Sequence, residues 1–87
     1  MSEADKIFED LGYRKGNGEN VIVYEKIKKY KDREEGKPIR EVIGFDTSRK
    51  QVYGFSDYDG IDYGLGIDIP IPELKAINKK CEELGWL

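Results

Sequence analysis

Residues 39–55, IREVIGFDTSRKQVYGF, predict a β-hairpin on which the rest of the chain is organised. Both Ile39–Phe45 and Gln51–Phe55 are rich in β-branched and aromatic residues, which favour strands. The polar segment Asp46–Lys50 between them favours a turn. Pairing Ile43 with Tyr53 gives one coherent apolar face, made of Ile39, Ile43, Phe45, Tyr53 and Phe55. The opposite face would then carry Arg40, Val42, Gly44, Val52 and Gly54, and its glycines would admit a close neighbour such as a second chain.

A helix is predicted at each end of the chain. Ser2 suits the N-cap of the first helix, and Gly12 suits its end, with Tyr13 folded back on Phe8. The apolar face of that helix has helical spacing and comprises Ala4, Ile7, Phe8 and Leu11. In the second helix Pro72 suits the first position, Gly85 suits the end, and Trp86 can fold back on Cys81. The apolar stripe of the second helix is predicted to be Leu74, Ile77, Cys81 and Leu84.

The segment between the first helix and the hairpin predicts two further strands. Tyr13–Lys15 is a short strand, Gly16–Gly18 contains the Asn-Gly signal of a tight turn, and Asn20–Tyr30 is a long strand. After the hairpin, Ser56–Gly66 is predicted to be a loop or a broken strand pair, and Ile67–Ile71 a short edge strand. We therefore predict a single α+β domain over residues 1–87, in which an antiparallel four- or five-stranded meander sheet is flanked by a short N-terminal helix and a C-terminal helix packed on one face.

The predicted core combines both helices with one face of the sheet. Its members are Ile7, Phe8, Leu11, Val21, Val23, Ile43, Phe45, Tyr53, Leu74, Ile77, Cys81 and Leu84. The second face of the sheet would carry Ile22, Val42 and Val52. Two helices this short cannot cover both faces of such a sheet, so we expect a homodimer.

Composition limits the classes of function. The chain has 38% charged residues and a net charge of −3, which argues against general nucleic-acid binding. The single cysteine cannot form an internal disulfide, and no segment has the roughly 20 apolar residues of a membrane span. The first ten residues also lack the apolar run of a secretion signal. These features predict a cytoplasmic protein with no membrane partner.

Catalytic chemistry has few candidate residues. The chain has no histidine, the commonest general base, and Cys81 falls on an apolar helix stripe. Asp57, Asp59 and Asp62 surround Gly60, but the order departs from a calcium loop and the closing glutamate is absent, so a solvated turn is favoured over a metal site. Paired carboxylates for glycoside hydrolysis would need a walled cleft, for which the chain is short. We predict no enzyme activity, no metal and no cofactor.

Two segments are candidates for binding a partner. Exposed tyrosines beside acidic residues are typical of protein-binding surfaces, and this combination occurs at Tyr58, Tyr63, Asp57, Asp59 and Asp62. The alternative is nucleic-acid binding by the basic stretch Lys26–Arg33, in which lysines and tyrosines could combine charge with base stacking. That patch comprises Tyr24, Lys26, Lys28, Lys29 and Tyr30. Lysines on an edge strand also prevent aggregation, which is the simpler interpretation of the stretch.

The two ends of the chain resemble a known group of proteins. The segments ADKIFEDLGY (Ala4–Tyr13) and ELKAINKKCEELGW (Glu73–Trp86) look like those of small phage and prophage proteins of Gram-positive bacteria, and Val23–Lys26 resembles the first long strand of that group. The group has no assigned activity, so the resemblance assigns no functional residue. It implies a prophage-type accessory protein of a bacterial cytoplasm.

Overall fold

A computed structural model describes residues 2–28, 39–58, 61–62 and 68–87. The elements in chain order are α1 (Glu3–Asp10), β1 (Arg14–Gly18), β2 (Val21–Lys28), β3 (Ile39–Asp46), β4 (Gln51–Tyr58), β5 (Ile61–Asp62) and α2 (Ile71–Glu83). The five strands form one sheet in the order β1-β2-β3-β4-β5, and every neighbouring pair is antiparallel. The predicted α+β fold, a meander sheet with a helix at each end of the chain, is confirmed. Neither helix in the described part of the chain has the length and apolar character that crossing a membrane requires.

Both helices begin and end where the sequence predicts, to within a residue. The Ser2 hydroxyl accepts the N–H of Asp5 at 3.0 Å, which caps α1. Gly12 follows α1 with a φ of 96°, and the N–H of Tyr13 donates to the carbonyl of Phe8 at 3.0 Å. Gly85 follows α2 in the same way, with a φ of 77°. Both ends are Schellman motifs, in which a glycine without a Cβ takes the left-handed conformation.

The predicted register of the central hairpin is wrong by one residue. Ile43 pairs with Gly54 rather than with Tyr53, because Asp46 ends β3 instead of beginning the turn. Oδ1 of Asp46 accepts the N–H groups of Ser48 at 3.0 Å and Arg49 at 3.1 Å, and these bonds define the turn at residues 47–50. Side chains alternate between faces along a strand, so the shift moves Tyr53 and Phe55 to the face opposite Ile43.

The core lies between the two helices and one face of the sheet. Its buried members are Phe8, Tyr13, Tyr24, Ile43, Phe45, Ala76, Ile77 and Cys81, with Ile7, Leu11, Ile22, Leu84 and Trp86 packed around them. Tyr24 is at its centre, with its ring stacked on that of Phe8 at 3.9 Å between centroids and edge-on to Phe45 at 5.7 Å. The sequence prediction placed Tyr24 in a surface patch, whereas its ring is fully buried.

Several predicted faces are corrected by the register. Tyr53 was predicted in the core but is 40% exposed on the opposite face, and the alternation along β2 places Val21 and Val23 there too. Ile22 and Val52 lie on the helix side instead of the second face; Val42 lies on the second face as predicted. Of the stripe predicted on α2, Ile77 and Cys81 are buried and Leu84 packs against the core, as predicted, but Leu74 is 41% exposed. The other buried residues of α2 are Glu73, Ala76 and Lys80.

Three boundaries differ from the prediction. Gly16–Gly18 belongs to β1, and the turn falls at residues 19–20, where Asn20 takes a φ of 58°. β4 continues to Tyr58, so the predicted loop begins later. The described part of the predicted edge strand, residues 68–71, contains no strand, because α2 begins at Ile71; Pro72 therefore takes the second helical position.

Candidate functional site: the helix-free face of the sheet

One face of the sheet is covered by both helices, and the other carries neither. We call the second face the open face and define it by Val21, Val23, Glu25, Ile27, Arg40, Val42, Gly44, Asp46, Gln51, Tyr53 and Phe55. These positions alternate along β2, β3 and β4 with Tyr24, Ile43 and Phe45, whose side chains contact the helices. The strand register therefore determines the composition of the open face.

An aromatic pair lies across the middle of the open face. The ring of Tyr53 covers Gly44, to the extent that a Cβ at residue 44 would be 2.1 Å from Cζ of Tyr53. The same ring is nearly parallel to that of Phe55, at 6.2 Å between centroids. The sequence suggested that glycines would leave this face open to a close neighbour. Gly44 is instead covered by the chain's own tyrosine, and Gly54 lies on the helix side.

The open face is mainly apolar and partly exposed to solvent. Ile27 is 52% exposed and Tyr53 40% exposed, Val21 and Val23 are half-buried, and Val42 is buried beside the aromatic pair. Near its centre, Arg40 and Glu25 form a salt bridge, with Nη1 of Arg40 3.3 Å from Oε2 of Glu25. The centre of the face is therefore an apolar and aromatic surface around the ion pair of Glu25 and Arg40, in a chain whose mean hydropathy is only −0.70.

A second polar feature lies under α1, on the covered side of the sheet. Asp5 accepts a short hydrogen bond from the hydroxyl of Tyr24 at Oδ1, a bond from Nζ of Lys80 at 3.3 Å at the same oxygen, and a bond from Nζ of Lys15 at 2.8 Å at Oδ2. Glu83 extends the cluster, because its carboxylate lies 3.9 Å from Nζ of Lys80. Its Oε2 also accepts the N–H of Ala4 at 2.9 Å, which connects it to α1. We call Asp5, Lys15, Tyr24, Lys80 and Glu83 the Asp5 cluster. It joins α1 to both α2 and the sheet.

The protonation states of the Asp5 cluster favour a structural role. Burial alone would raise the pKa of Asp5, but the bonds from Lys15 and Tyr24 and the charge of Lys80 outweigh it and hold the pKa well below its usual range. Burial, followed by the bond to Asp5, raises the pKa of Tyr24 far above its usual value. A general acid or base works best with a pKa near the working pH. The pKa of Asp5 lies far below a neutral working pH and that of Tyr24 far above it, so neither group is suited to proton transfer.

A cavity of about 290 Å³ lies beside the Asp5 cluster, between α1 and the first two strands. It is lined by Asp5, Phe8, Glu9, Tyr13, Arg14, Lys15 and Tyr24. The inner aromatic side chains already contact one another, since the ring of Phe8 is stacked on Tyr24 and edge-on to Tyr13 at 5.6 Å. Lys15, at the same cavity, is held by Asp5. The inner wall of the cavity is thus formed by side chains that already contact one another: Asp5, Phe8, Tyr13, Lys15 and Tyr24.

The predicted acidic and tyrosine-rich site lies only partly within the described residues. Asp57 and Tyr58 belong to β4, where Asp57 pairs with Asp62 of β5 and Tyr58 with Ile61. Asp59 and Tyr63 lie outside the described residues. The structure therefore brings Asp57 and Asp62 opposite each other on neighbouring strands, and binding by this set of residues stays a prediction.

Tyr24 cannot belong to the predicted basic, nucleic-acid-binding patch. Tyr24 is buried in the core and has no free ring face for a base. Nζ of Lys26 lies 5.4 Å from the centroid of the Tyr13 ring, an internal cation–π contact. Lys28 is the last residue of β2, and Lys29 and Tyr30 lie outside the described residues.

Other chemical features are few in the part of the chain that the structure describes. Among those residues, no group of three or more potential ligands is placed to hold a metal ion. Burial raises the pKa of the Cys81 thiol, which disfavours the nucleophilic thiolate. Sequence reasoning predicted an uncovered second face and placed Arg40, Val42 and Gly44 on it correctly, but it assigned Val52 and Gly54 there instead of Tyr53 and Phe55, because that choice depends on the hairpin register. No protein-family model, curated protein or solved structure matches this chain.

Proposed function

We propose that this chain is a non-enzymatic accessory protein of the phage or prophage type, which acts in a bacterial cytoplasm by binding protein through the open face. The observation that supports this function is the exposure of Ile27 and Tyr53 on a sheet face that neither helix covers. Exposed apolar side chains grouped on one surface are characteristic of interaction sites. The resemblance of Ala4–Tyr13 and Glu73–Trp86 to phage proteins supports the biological setting.

The composition of the open face fits a protein partner. Aromatic side chains give large contact areas for little loss of conformational entropy, and tyrosine is frequent at the energetic centres of interfaces. Tyr53 is already held against Gly44 and beside Phe55, so binding would cost less ordering of its side chain. Glu25 pairs with Arg40 at the centre of the face, and the strand register places the acidic Asp46 on the same face. The centre therefore offers no excess of positive charge to a polyanion such as nucleic acid.

Position-specific crosslinking in the bacterial host tests this function. With p-benzoylphenylalanine in place of Tyr53, irradiation should produce discrete protein adducts. The matched control carries the same group in place of Val52, which has nearly the same exposure, 38%, but lies on the helix side of the sheet. We expect adducts from position 53 and few or none from position 52. The absence of adducts at position 53, or identical adducts at both positions, would contradict binding through the open face.

A further inference from the structure

We infer that the open face binds a second copy of the same chain, so that two sheets pack face to face in a two-fold symmetric dimer. This inference rests on the proposed function and names its partner. A sheet with one solvated apolar face is commonly completed by a second sheet at a separation of about 10 Å, as in β-sandwiches. In this dimer the apolar side chains of each open face would be buried against the same set in the other copy.

The charges of the open face are compatible with self-association. The chain carries a net charge of −3, so two copies repel each other over most surfaces. The open face is different at its centre, because Glu25 and Arg40 are 3.3 Å apart and balance each other. In a two-fold interface residue i of one copy meets residue j of the other, and j meets i. Across a two-fold axis, Glu25 of one copy can therefore face Arg40 of the other, and Arg40 of the first can face Glu25 of the second, so that opposite charges are in contact.

The size of the open face predicts a weak dimer. β2, β3 and β4 are each eight residues long. Three strands about 4.8 Å apart, with about 3.4 Å per residue, cover roughly 14 by 27 Å. That footprint of roughly 380 Å² is about half of the roughly 800 Å² per partner that standard interfaces bury, and it falls in the range of weak, transient contacts. We therefore expect weak association, with a dissociation constant of roughly 100 µM or above.

Sedimentation velocity between about 10 µM and 1 mM tests the dimer. The wild-type chain should pass from monomer to dimer over this range. Ile27→Lys places a cation in the interface next to Arg40, its cross-strand partner, and should weaken association at least about tenfold. Tyr53→Lys should have a similar effect. Val52→Lys, a substitution at comparable exposure on the helix side, should leave the dissociation constant unchanged within about twofold.

The outcomes separate the dimer from the proposed function. A wild-type chain that stays monomeric at 1 mM overturns the dimer, as does a dimer that Ile27→Lys and Tyr53→Lys leave intact. If the chain is monomeric but position 53 crosslinks to a protein of another mass, the open face is still a protein-binding site and only its partner has been misassigned. If the chain is monomeric and position 53 gives no adduct, both proposals fail. Because Ile27 is 52% exposed, its variant should fold, and circular dichroism checks this directly.

Discussion

The Asp5→Asn variant should lower the free energy of unfolding by about 3 kcal/mol at neutral pH, because it leaves a nearly buried ammonium without its closest counter-charge. The side chain of Lys80 is only 8% exposed, and its Nζ lies 3.3 Å from Asp5 but 3.9 Å from Glu83. Asparagine keeps the shape of the side chain, so the loss reports charge rather than packing. Urea denaturation followed by circular dichroism measures the change.

A second carboxylate on the same helix provides a matched control. Glu3 also pairs with a lysine of α2, Lys79, at 3.1 Å, but the two side chains are 70% and 35% exposed. Solvent weakens such a pair, so Glu3→Gln should change stability by at most about 0.5 kcal/mol. Equal losses from Asp5→Asn and Glu3→Gln would show that burial of the Asp5 cluster contributes nothing.

The stabilisation that Asp5 provides should depend on pH. The pKa of Asp5 is depressed in the folded chain below the unfolded value of about 3.9, so its stabilising effect is complete above that value and is lost as the pH falls. The difference in stability between the wild-type chain and Asp5→Asn should therefore be constant from about pH 5 to 8 and narrow below about pH 4. A difference that instead grew in acid would contradict the charge assignment.

The Phe8→Ala variant should lose about 4 kcal/mol of stability, the usual cost of deleting a buried phenylalanine side chain. Phe8 is fully buried, and its ring contacts those of Tyr13, Tyr24 and Phe45. For 87 residues the total stability is roughly 4–13 kcal/mol, so the variant should lose between about a third and all of it. Thermal and urea denaturation measure this loss.

Tyr53→Ala is the control for Phe8→Ala, because it deletes an aromatic ring from the opposite face. Tyr53 is 40% exposed, so its removal should cost less than half as much as the removal of Phe8. If Tyr53→Ala were the more destabilising of the two, the assignment of the covered and open faces would be reversed.

Local signals made the fold predictable from the sequence. The caps at Ser2, Gly12 and Gly85 depend on a few neighbouring residues, and the structure has each of them where the sequence indicates. The alternation of strands and polar turns likewise specifies a meander, because antiparallel neighbours need only short connections. Such features require no knowledge of distant contacts.

The faces of the sheet could not be predicted in the same way. Residues 21–24 are continuously apolar, so their pattern does not indicate which side chains are covered, and the buried one proved to be Tyr24. In the hairpin, Asp46 could end the strand or begin the turn, and this one-residue choice determines the face of Tyr53. The Asp5 cluster could not be predicted from the sequence either, since Asp5 and Lys80 are 75 residues apart in the chain.

The assignment of the two faces can be tested most directly by nuclear magnetic resonance of the wild-type chain. The ring of Tyr53 lies over Gly44, so an α-proton of Gly44 should be shifted strongly upfield by the ring current and should show nuclear Overhauser contacts to the Tyr53 ring. The Tyr24 ring should show contacts to Phe8 instead. Contacts between the Tyr53 ring and the Ile43 side chain, with an unshifted Gly44, would contradict the register and with it the open face.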